Sequence, residues 1–249
     1  MKIAVISLFP EMFEAIEQYG VSGRAIRSGI VNLTHFNPRD FADAPNRCVD
    51  DRPFGGGPGM VMMVEPLRGA LAAAREWIGT SVHRVVHMSP QGKLLKQRNL
   101  QRFLELEGLI IIAGRYEGID ERFLNLEVDE EWSIGDYVLS GGELAAMVLM
   151  DALMRHLPNV LGHAQSAEQG SFSHGLLGYP QYTRPDTVSG VKVPEVLLSG
   201  DHDRVRLWRL SQSLQRTRDR RPELLCELSL DDEQSKLLSQ INRSSSDDV

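Results

Sequence analysis

Three short segments carry the residues whose types and spacing suit the binding of a small ligand. They run from Met88 to Gly92, from Ala113 to Gly118 and from Ser133 to Glu143, and each is rich in glycine or polar residues. Glycine lets backbone amides and carbonyls approach a ligand without interference from a Cβ atom. Taken singly, each segment is an ordinary turn between a strand and a helix. Together, they predict one pocket.

The end of the third segment has a second interpretation. Ser140 and Glu143 have the spacing of a capping box, directly before the apolar run Leu144–Leu153. This pattern predicts that Ser140 accepts a hydrogen bond from the amide of Glu143 while the Glu143 side chain reaches back. The three glycines of the segment exceed what a cap requires, and they favour a ligand loop.

None of the three segments contains Gly-x-Gly-x-x-Gly or the lysine motif of a P-loop. A dinucleotide-binding fold and a P-loop nucleotidase are therefore disfavoured. A fourth segment, residues 49–60, holds two aspartates, an arginine and four glycines. It is either a mobile surface loop or a lid that faces the substrate.

Predicted strands and helices, which must position these loops, alternate along the chain up to about residue 158. Short apolar runs at 3–8, 30–36, 82–88 and 109–113 predict strands that are covered on both faces. Helical patterns lie between and after them at about 11–19, 63–78, 94–106 and 143–156. This alternation predicts an α/β fold with a mostly parallel sheet. Loops that follow the strands of such a sheet converge on one edge, where ligands bind.

The remainder of the chain has a different organisation. A polar, aperiodic stretch from about 158 to 185 predicts an interdomain linker or a functional loop. Helical patterns follow at about 201–222 and 231–241. Residues 203–221 contain seven arginines against two aspartates, so this helix is either a solvated charged face or a surface that contacts phosphate.

Composition narrows the class of protein. The 249 residues are 42% apolar and 24% charged, which is typical of a globular protein. No apolar run is long enough to cross a membrane, and the start of the chain reads as a strand rather than a signal peptide. Two distant cysteines supply neither a disulfide framework nor a zinc site. We therefore expect a cytoplasmic protein without membrane contact. The net charge of −7 excludes a uniformly basic nucleic-acid binder.

Several long motifs resemble the bacterial tRNA (guanine-N1)-methyltransferase family. They are Asp50 to Met60, Ser89 to Gly92, Gly114 to Asp120, Ser133 to Glu143, and Tyr182 to Pro185 together with Val193 to Leu197. Members of this family methylate the guanosine immediately 3′ of the tRNA anticodon with S-adenosylmethionine. The resemblance covers essentially residues 1–240.

The resemblance implies the SPOUT fold, an α/β sheet tied in a trefoil knot, followed by a small, mainly helical domain. It also implies a homodimer whose active sites are shared between subunits, with the anticodon stem-loop of tRNA as partner. The domains that we expect are an S-adenosylmethionine-binding SPOUT domain (1–158), a linker (159–181) and a helical tRNA-binding domain (182–249). The family further indicates that Mg²⁺ assists the reaction, although the residues themselves suggest no metal site.

By position, the resemblance assigns residues to the cofactor, and the density of arginine in the helix at 201–222 indicates residues that contact RNA. The cofactor-binding residues are Met88, Ser89, Pro90, Gly114, Tyr116, Glu117, Ser133, Ile134, Gly135, Asp136, Tyr137, Val138, Leu139 and Gly141. The RNA-binding residues that we expect are Asp51, Arg52, Arg184, Arg209, Arg216, Arg218 and Arg220.

Methylation at guanine N1 requires a base for the departing proton and a positive or hydrogen-bonding group near O6. The resemblance places the positive group at Arg155 and the base at position 170, where the family has aspartate. This chain has Gly170, which cannot accept a proton. Either a neighbour such as Glu168 or His174 substitutes, or the chain is a catalytically impaired homologue that binds tRNA and cofactor. Family acids are also absent at His174 and Gly178, and a histidine is replaced by Gln181.

Overall fold

The computed structural model describes residues 1–162 and 170–246. The chain divides into two compact units, Met1–Ala164 and Gln165–Val249. The strands of the first unit are β1 (Lys2–Ile6), β2 (Asn32–Phe36), β3 (Asp50–Asp51), β4 (Val61–Met62), β5 (His83–Leu94), β6 (Gly108–Ala113) and β7 (Glu130–Ser133). Its α-helices are α1 (Glu14–Gln18), α2 (Gly20–Arg27), α3 (Val64–Ile78), α4 (Gln101–Leu104), α5 (Glu121–Glu127) and α6 (Glu143–Met154).

Five of these strands form a parallel sheet in the order β2-β1-β6-β5-β7, which confirms the predicted α/β class. Strand β6 lies at its centre and all six of its residues are buried. Because side chains alternate across a strand, Leu109 and Ile111 pack on one face and Ile110 and Ile112 on the other. Full burial of an isoleucine stabilises the fold by about 1.5–3 kcal/mol, so this strand anchors both layers.

Two helices cover the opposite faces of the sheet. Helix α3 buries Leu67, Leu71 and Ile78, which recur at helical spacing on one side, and it ends at Gly79 with φ 78°. Helix α6 buries Leu149 and other residues of its run against the other face. Helices α1, α2 and α4 add contacts to the α6 layer and α5 adds contacts to the α3 layer. The residues after Met88 in β5 and the loops after β6 and β7 meet at one rim.

The predicted helix at 94–106 is present only in part. Strand β5 continues to Leu94, and the Leu95 amide still donates to the Ser133 carbonyl at 2.8 Å. A 3-10 turn at Gln97–Asn99 and the single turn of α4 are the helical part of this segment. Pairing with β7, a short strand that the sequence patterns did not predict, keeps this segment extended. Helices α2 and α5 were also not predicted.

The second unit is mainly helical. It contains a small antiparallel pair, β8 (Thr187–Val188) and β9 (Val191–Lys192), and the helices α7 (His202–Arg220), α8 (Pro222–Cys226) and α9 (Asp232–Ser246). The helices predicted at 201–222 and 231–241 are thereby confirmed. Helix α7 begins at the cap residue Asp201, whose side chain accepts from the Arg204 amide at 3.1 Å.

Candidate active site

A cleft lies at the carboxyl ends of β5, β6 and β7, where the three ligand-type segments meet. Its volume is about 230 Å³. The segment after Met88 enters it as a bulge, because Met88 and Lys93 both pair with Trp132 and the residues between them loop out. The segments after β6 and β7 form the other walls. The convergence predicted from the alternating pattern is therefore present.

All but one of the residues predicted for the cofactor border this cleft. They are Met88, Ser89, Pro90, Gly114, Tyr116, Glu117, Ser133, Ile134, Gly135, Tyr137, Val138, Leu139 and Gly141. Asp136 is the exception and does not line it. Further lining residues that the sequence did not single out include His87, Arg115, Glu121 and Glu131.

Two glycines allow the backbones of neighbouring segments to touch. A Cβ atom on Gly92 would lie 2.4 Å from the carbonyl carbon of Glu131. A Cβ atom on Gly142 would lie 2.8 Å from the Cα of Ala113. The Gly142 amide also donates to the Gly114 carbonyl at 2.8 Å. These positions need glycine for close packing between loops, so the walls of the cleft support one another.

A buried ion pair links the segments beneath the cleft. The Glu143 side chain is fully buried, and its Oε2 lies 2.9 Å from Nε of Arg115. The other oxygen, Oε1, accepts a hydrogen bond from the Ser7 hydroxyl at 2.9 Å. We call Ser7, Arg115 and Glu143 the buried clamp. It joins the end of β1, the loop after β6 and the start of α6.

The rest of the Arg115 side chain is also held. Its Nη1 donates to the Ser140 carbonyl at 3.1 Å, and its guanidinium lies 4.6 Å from the ring centroid of Phe9. A Cβ atom on Gly141 would lie 2.3 Å from Nε of Arg115. Gly141 therefore makes room for the guanidinium of the clamp as well as bordering the cleft.

The predicted capping box between Ser140 and Glu143 is wrong. Helix α6 starts after Gly142 without a side-chain cap. Glu143 turns inward, where the Arg115 charge lies 2.9 Å from Oε2 and the Ser7 hydroxyl donates to Oε1. The sequence pattern correctly predicts where α6 begins, but it does not predict the partners of the Glu143 side chain.

Ionisable side chains give the cleft an acidic lining. Nδ1 of the buried His87 lies 3.1 Å from Oε2 of Glu131. This hydrogen bond outweighs partial burial and lowers the pKa of Glu131 below its ordinary value, which keeps the carboxylate ionised. Glu117 and Glu121 also line the cleft. Burial, followed by the nearby Asp50 carboxylate, raises the pKa of Tyr116.

The fourth segment packs against the cleft through its last glycine. A Cβ atom on Gly59, which has φ 79°, would lie 2.4 Å from Cγ of Glu117. The Glu117 amide donates to the Met60 carbonyl at 2.9 Å. Asp51 and Arg52 lie at the other end of this segment and line a separate hollow with Phe54, whose side chain is 98% exposed.

Arg155 does not border the cleft of its own chain. It is exposed and follows the last turn of α6, whereas Glu143 begins the helix at the cleft. Twelve helical residues separate them, or about 18 Å at 1.5 Å per residue. The sequence patterns already indicate this separation, because the ligand segment ends at Glu143 and Arg155 lies near the end of the helix predicted at 143–156.

The remaining predicted catalytic positions lie elsewhere. Glu168 falls outside the described residues. Gly170 and His174 are exposed in the second unit, where both border a cavity beside α7. A Cβ atom on Gly170 would find only the Ser173 hydroxyl oxygen within 4 Å, at 3.9 Å. This position can therefore accept a side chain.

The arginines of α7 have unequal surroundings. Arg206 forms two hydrogen bonds with Glu233 of α9, at 2.7 and 2.8 Å. Arg218 reaches Asp219 and the carbonyl of Ile241. Arg216 and Arg220, four residues apart, share a face of the helix, whereas Arg218 points to the other side. The predicted basic surface is thus narrower than the count of arginines indicates.

No group of three or more potential metal ligands occurs among residues 1–162 and 170–246. Within the same ranges, no helix combines the length and the apolar character that crossing a membrane requires.

A parallel α/β sheet with a glycine-lined, acidic cleft at its carboxyl edge is typical of α/β proteins that bind small ligands at that edge. Comparison with known proteins identifies the family. The chain belongs to the tRNA (Guanine-1)-methyltransferase TrmD family, whose model matches residues 1–227.

Similar proteins cover nearly the whole chain. The tRNA (guanine-N(1)-)-methyltransferase of Tolumonas auensis is 58% identical over 240 residues, with 96% of each chain covered. The protein of that name from Pseudoalteromonas atlantica is 58% identical over 236 residues, covering 95% of this chain and 89% of its own. The protein of that name from Pseudomonas aeruginosa PAO1 is 56% identical over 245 residues, covering 98% of this chain and 97% of its own.

Proposed function

We propose that this chain transfers a methyl group from S-adenosylmethionine to N1 of the guanosine immediately 3′ of the anticodon in tRNA. The observation that carries the proposal is the cleft at the carboxyl edge of the sheet, lined by the family's cofactor segments. The full-length similarity to proteins named tRNA (guanine-N(1)-)-methyltransferase supports the same reaction.

The cleft suits S-adenosylmethionine in shape and charge. Ile134, Val138 and Leu139 give its rim an apolar character that matches a purine ring. Glu117 and Glu131 add negative charge that complements a sulfonium and an ammonium group. When bound, the cofactor supplies the electrophilic methyl group. The described residues offer no cluster of metal ligands, so we derive no step from Mg²⁺.

The active site of this proposal is completed by a second subunit. Arg155 lies about 18 Å along α6 from the cleft of its own chain, so it cannot serve that cleft. In a homodimer, Arg155 of the partner subunit supplies the positive charge near guanine O6. Leu144 and Val148 on the outer face of α6 are 48% and 47% exposed, and this apolar face supports burial against another copy.

The architecture and location implied by the family complete the proposal. The loop from β7 returns across the end of β6 to begin α6, and this path is consistent with the SPOUT trefoil knot. The first unit then binds the cofactor, while the second contacts the anticodon stem-loop through a helical domain. Such an enzyme works where tRNA is processed, in the cytoplasm.

A methyl-transfer assay tests this function directly. Purified protein, unmodified tRNA transcript and cofactor with a tritiated methyl group are mixed under single-turnover conditions, and the nucleosides are analysed for 1-methylguanosine. A transcript with adenosine at the target position is the matched control. Cofactor binding and tRNA binding without any transfer would instead identify the catalytically impaired homologue. Nothing in the described structure or the relatives favours that alternative.

We expect Gly141→Val to lower the affinity for S-adenosylmethionine at least tenfold. The added side chain would collide with the Arg115 guanidinium, 2.3 Å from the position of its Cβ, and would intrude on the cleft. Calorimetry with cofactor alone measures the effect. Gly162→Val is the matched control, because a Cβ there meets nothing within 4 Å. Equal affinity in both variants would remove Gly141 from the cofactor site.

We expect the double substitution Arg216→Ala and Arg220→Ala to weaken tRNA binding. The slope of log affinity against log salt concentration should fall by about the contribution of two phosphate contacts. Cofactor affinity should not change. Arg218→Ala is the comparison, because Arg218 already bonds to Asp219 and to α9. A salt slope that is identical in the double variant and the wild type would mean that this face does not contact phosphate.

A further inference from the structure

The second unit carries a groove that the proposed function does not yet use. The segment from Tyr179 to Asp186 forms one wall, and Leu197, Leu198 and Val205 contribute apolar surface. Its volume is about 1040 Å³. Aromatic and cationic side chains meet here, which is the combination that proteins use to hold unpaired nucleotides.

Tyr182 supplies an aromatic face. Its side chain is 48% exposed, although its ring packs near Trp208 of α7 with a centroid distance of 6.3 Å and an angle of 50° between the rings. The contact with tryptophan supports the tyrosine ring, and Tyr182 also borders the groove. A supported but half-open ring is a suitable platform for a stacked base.

Arg209 supplies hydrogen-bond donors in the same groove. Its guanidinium lies 4.9 Å from the ring centroid of Tyr179, so its orientation is fixed by stacking. Arg209 borders the groove, and a guanidinium carries five N–H donors. An occupant of the groove should therefore carry acceptor atoms.

Arg184 adds positive charge at the rim, two residues after Tyr182, and is exposed. The one acidic side chain among the groove's described lining residues is Asp186. The ligand should thus combine a flat aromatic face, acceptor atoms and a negative charge. A nucleotide has all three.

We propose that this groove binds an unpaired RNA nucleotide, with its base stacked on Tyr182, its acceptor atoms near Arg209 and its phosphate near Arg184. The inference rests on the proposed function, because tRNA is the RNA that it would hold. It adds a stacking site distinct from the methyl-transfer cleft, and it lies next to the arginine face of α7, because Arg209 shares a side of the helix with Arg216 and Arg220.

Binding of a fluorescein-labelled single-stranded pentaribonucleotide to the full chain, followed by anisotropy, tests this site. We expect Tyr182→Ala to weaken binding about 5- to 150-fold, which corresponds to about 1–3 kcal/mol per stacked base. Tyr182→Phe keeps the ring and should bind as the wild type does. Tyr19→Ala removes a 69% exposed tyrosine from the first unit and is the matched control.

The salt dependence separates the roles of the two side chains. Tyr182→Ala should leave the slope of log affinity against log salt unchanged, whereas Arg184→Ala should reduce it by about 0.7 for one phosphate contact on a single strand. Equal unfolding midpoints by circular dichroism show that the variants remain folded.

Three results would overturn the stacking site: no binding of the pentaribonucleotide by the wild type, no effect of Tyr182→Ala, or an equal loss in Tyr182→Phe. The methyl-transfer assay on the wild type is read separately. Its failure would overturn the proposed reaction and leave a measured Tyr182 effect intact.

Discussion

Replacing Gly170 with aspartate should raise the single-turnover rate of methyl transfer about 100-fold. The resemblance to the family implies a proton acceptor at this position, and general-base catalysis contributes about 10²–10⁴ to a rate. The exposed site has room for the side chain, because only the Ser173 hydroxyl oxygen lies within 4 Å of a Cβ there. The rate is measured by rapid quench with enzyme in excess over tRNA.

Gly170→Asn is the matched control for this rate, since it has nearly the same shape as aspartate but cannot accept the proton. Aspartate and asparagine variants with equal rates would show that position 170 does not host the base. In that case Glu168→Gln and His174→Ala are the next variants to measure. A collapse of the wild-type rate in either one would identify the substitute base.

Removing the charge of Arg115 should lower the free energy of unfolding by about 3–5 kcal/mol, because it leaves the Glu143 carboxylate buried without its partner. Arg115→Met keeps most of the side-chain volume. Glu143 is fully buried, and the side chain of Arg115 is only 17% exposed, so water cannot replace the lost pairing. Urea unfolding, followed by circular dichroism, measures the change.

The double variant Arg115→Met with Glu143→Gln should recover much of this loss, because the neutral amide still accepts from Ser7 and no charge remains buried. Arg47→Met is the control: its pair with Asp40 is 63% exposed on both sides, and its loss should cost less than about 1 kcal/mol. A cost for Arg115→Met as small as that for Arg47→Met would mean that the clamp does not stabilise the fold.

The parallel sheet and the site of the cleft were predictable because both are encoded in local patterns. The run Leu109–Ala113 is apolar at every position, which indicates a strand covered on both faces, and β6 has that environment. Glycine-rich segments after such strands must meet at the carboxyl edge. That rule is sufficient to bring Gly114 and Gly135 to one cleft.

The buried clamp could not be predicted, because its contacts join distant parts of the chain. Ser7 and Glu143 are separated by 136 residues, and no local pattern connects them. The same limit explains why the helix predicted at 94–106 begins late, since pairing with β7 keeps Leu94 and Leu95 extended. The different surroundings of Arg216 and Arg218 likewise depend on where α9 packs, and the charge count of α7 carries no such information.

The position of β1 between β2 and β6 has a consequence for how the protein is made. Lys2 pairs with Asn32 on one side and with Gly108 on the other, so β1 depends on a neighbour more than a hundred residues later in the chain. At about 5–20 residues per second, a ribosome needs roughly 5–20 s to deliver that neighbour. During this interval, one edge of an apolar strand has no native partner. The nascent chain therefore has a window for mispairing that ends only when β6 emerges and closes this long loop.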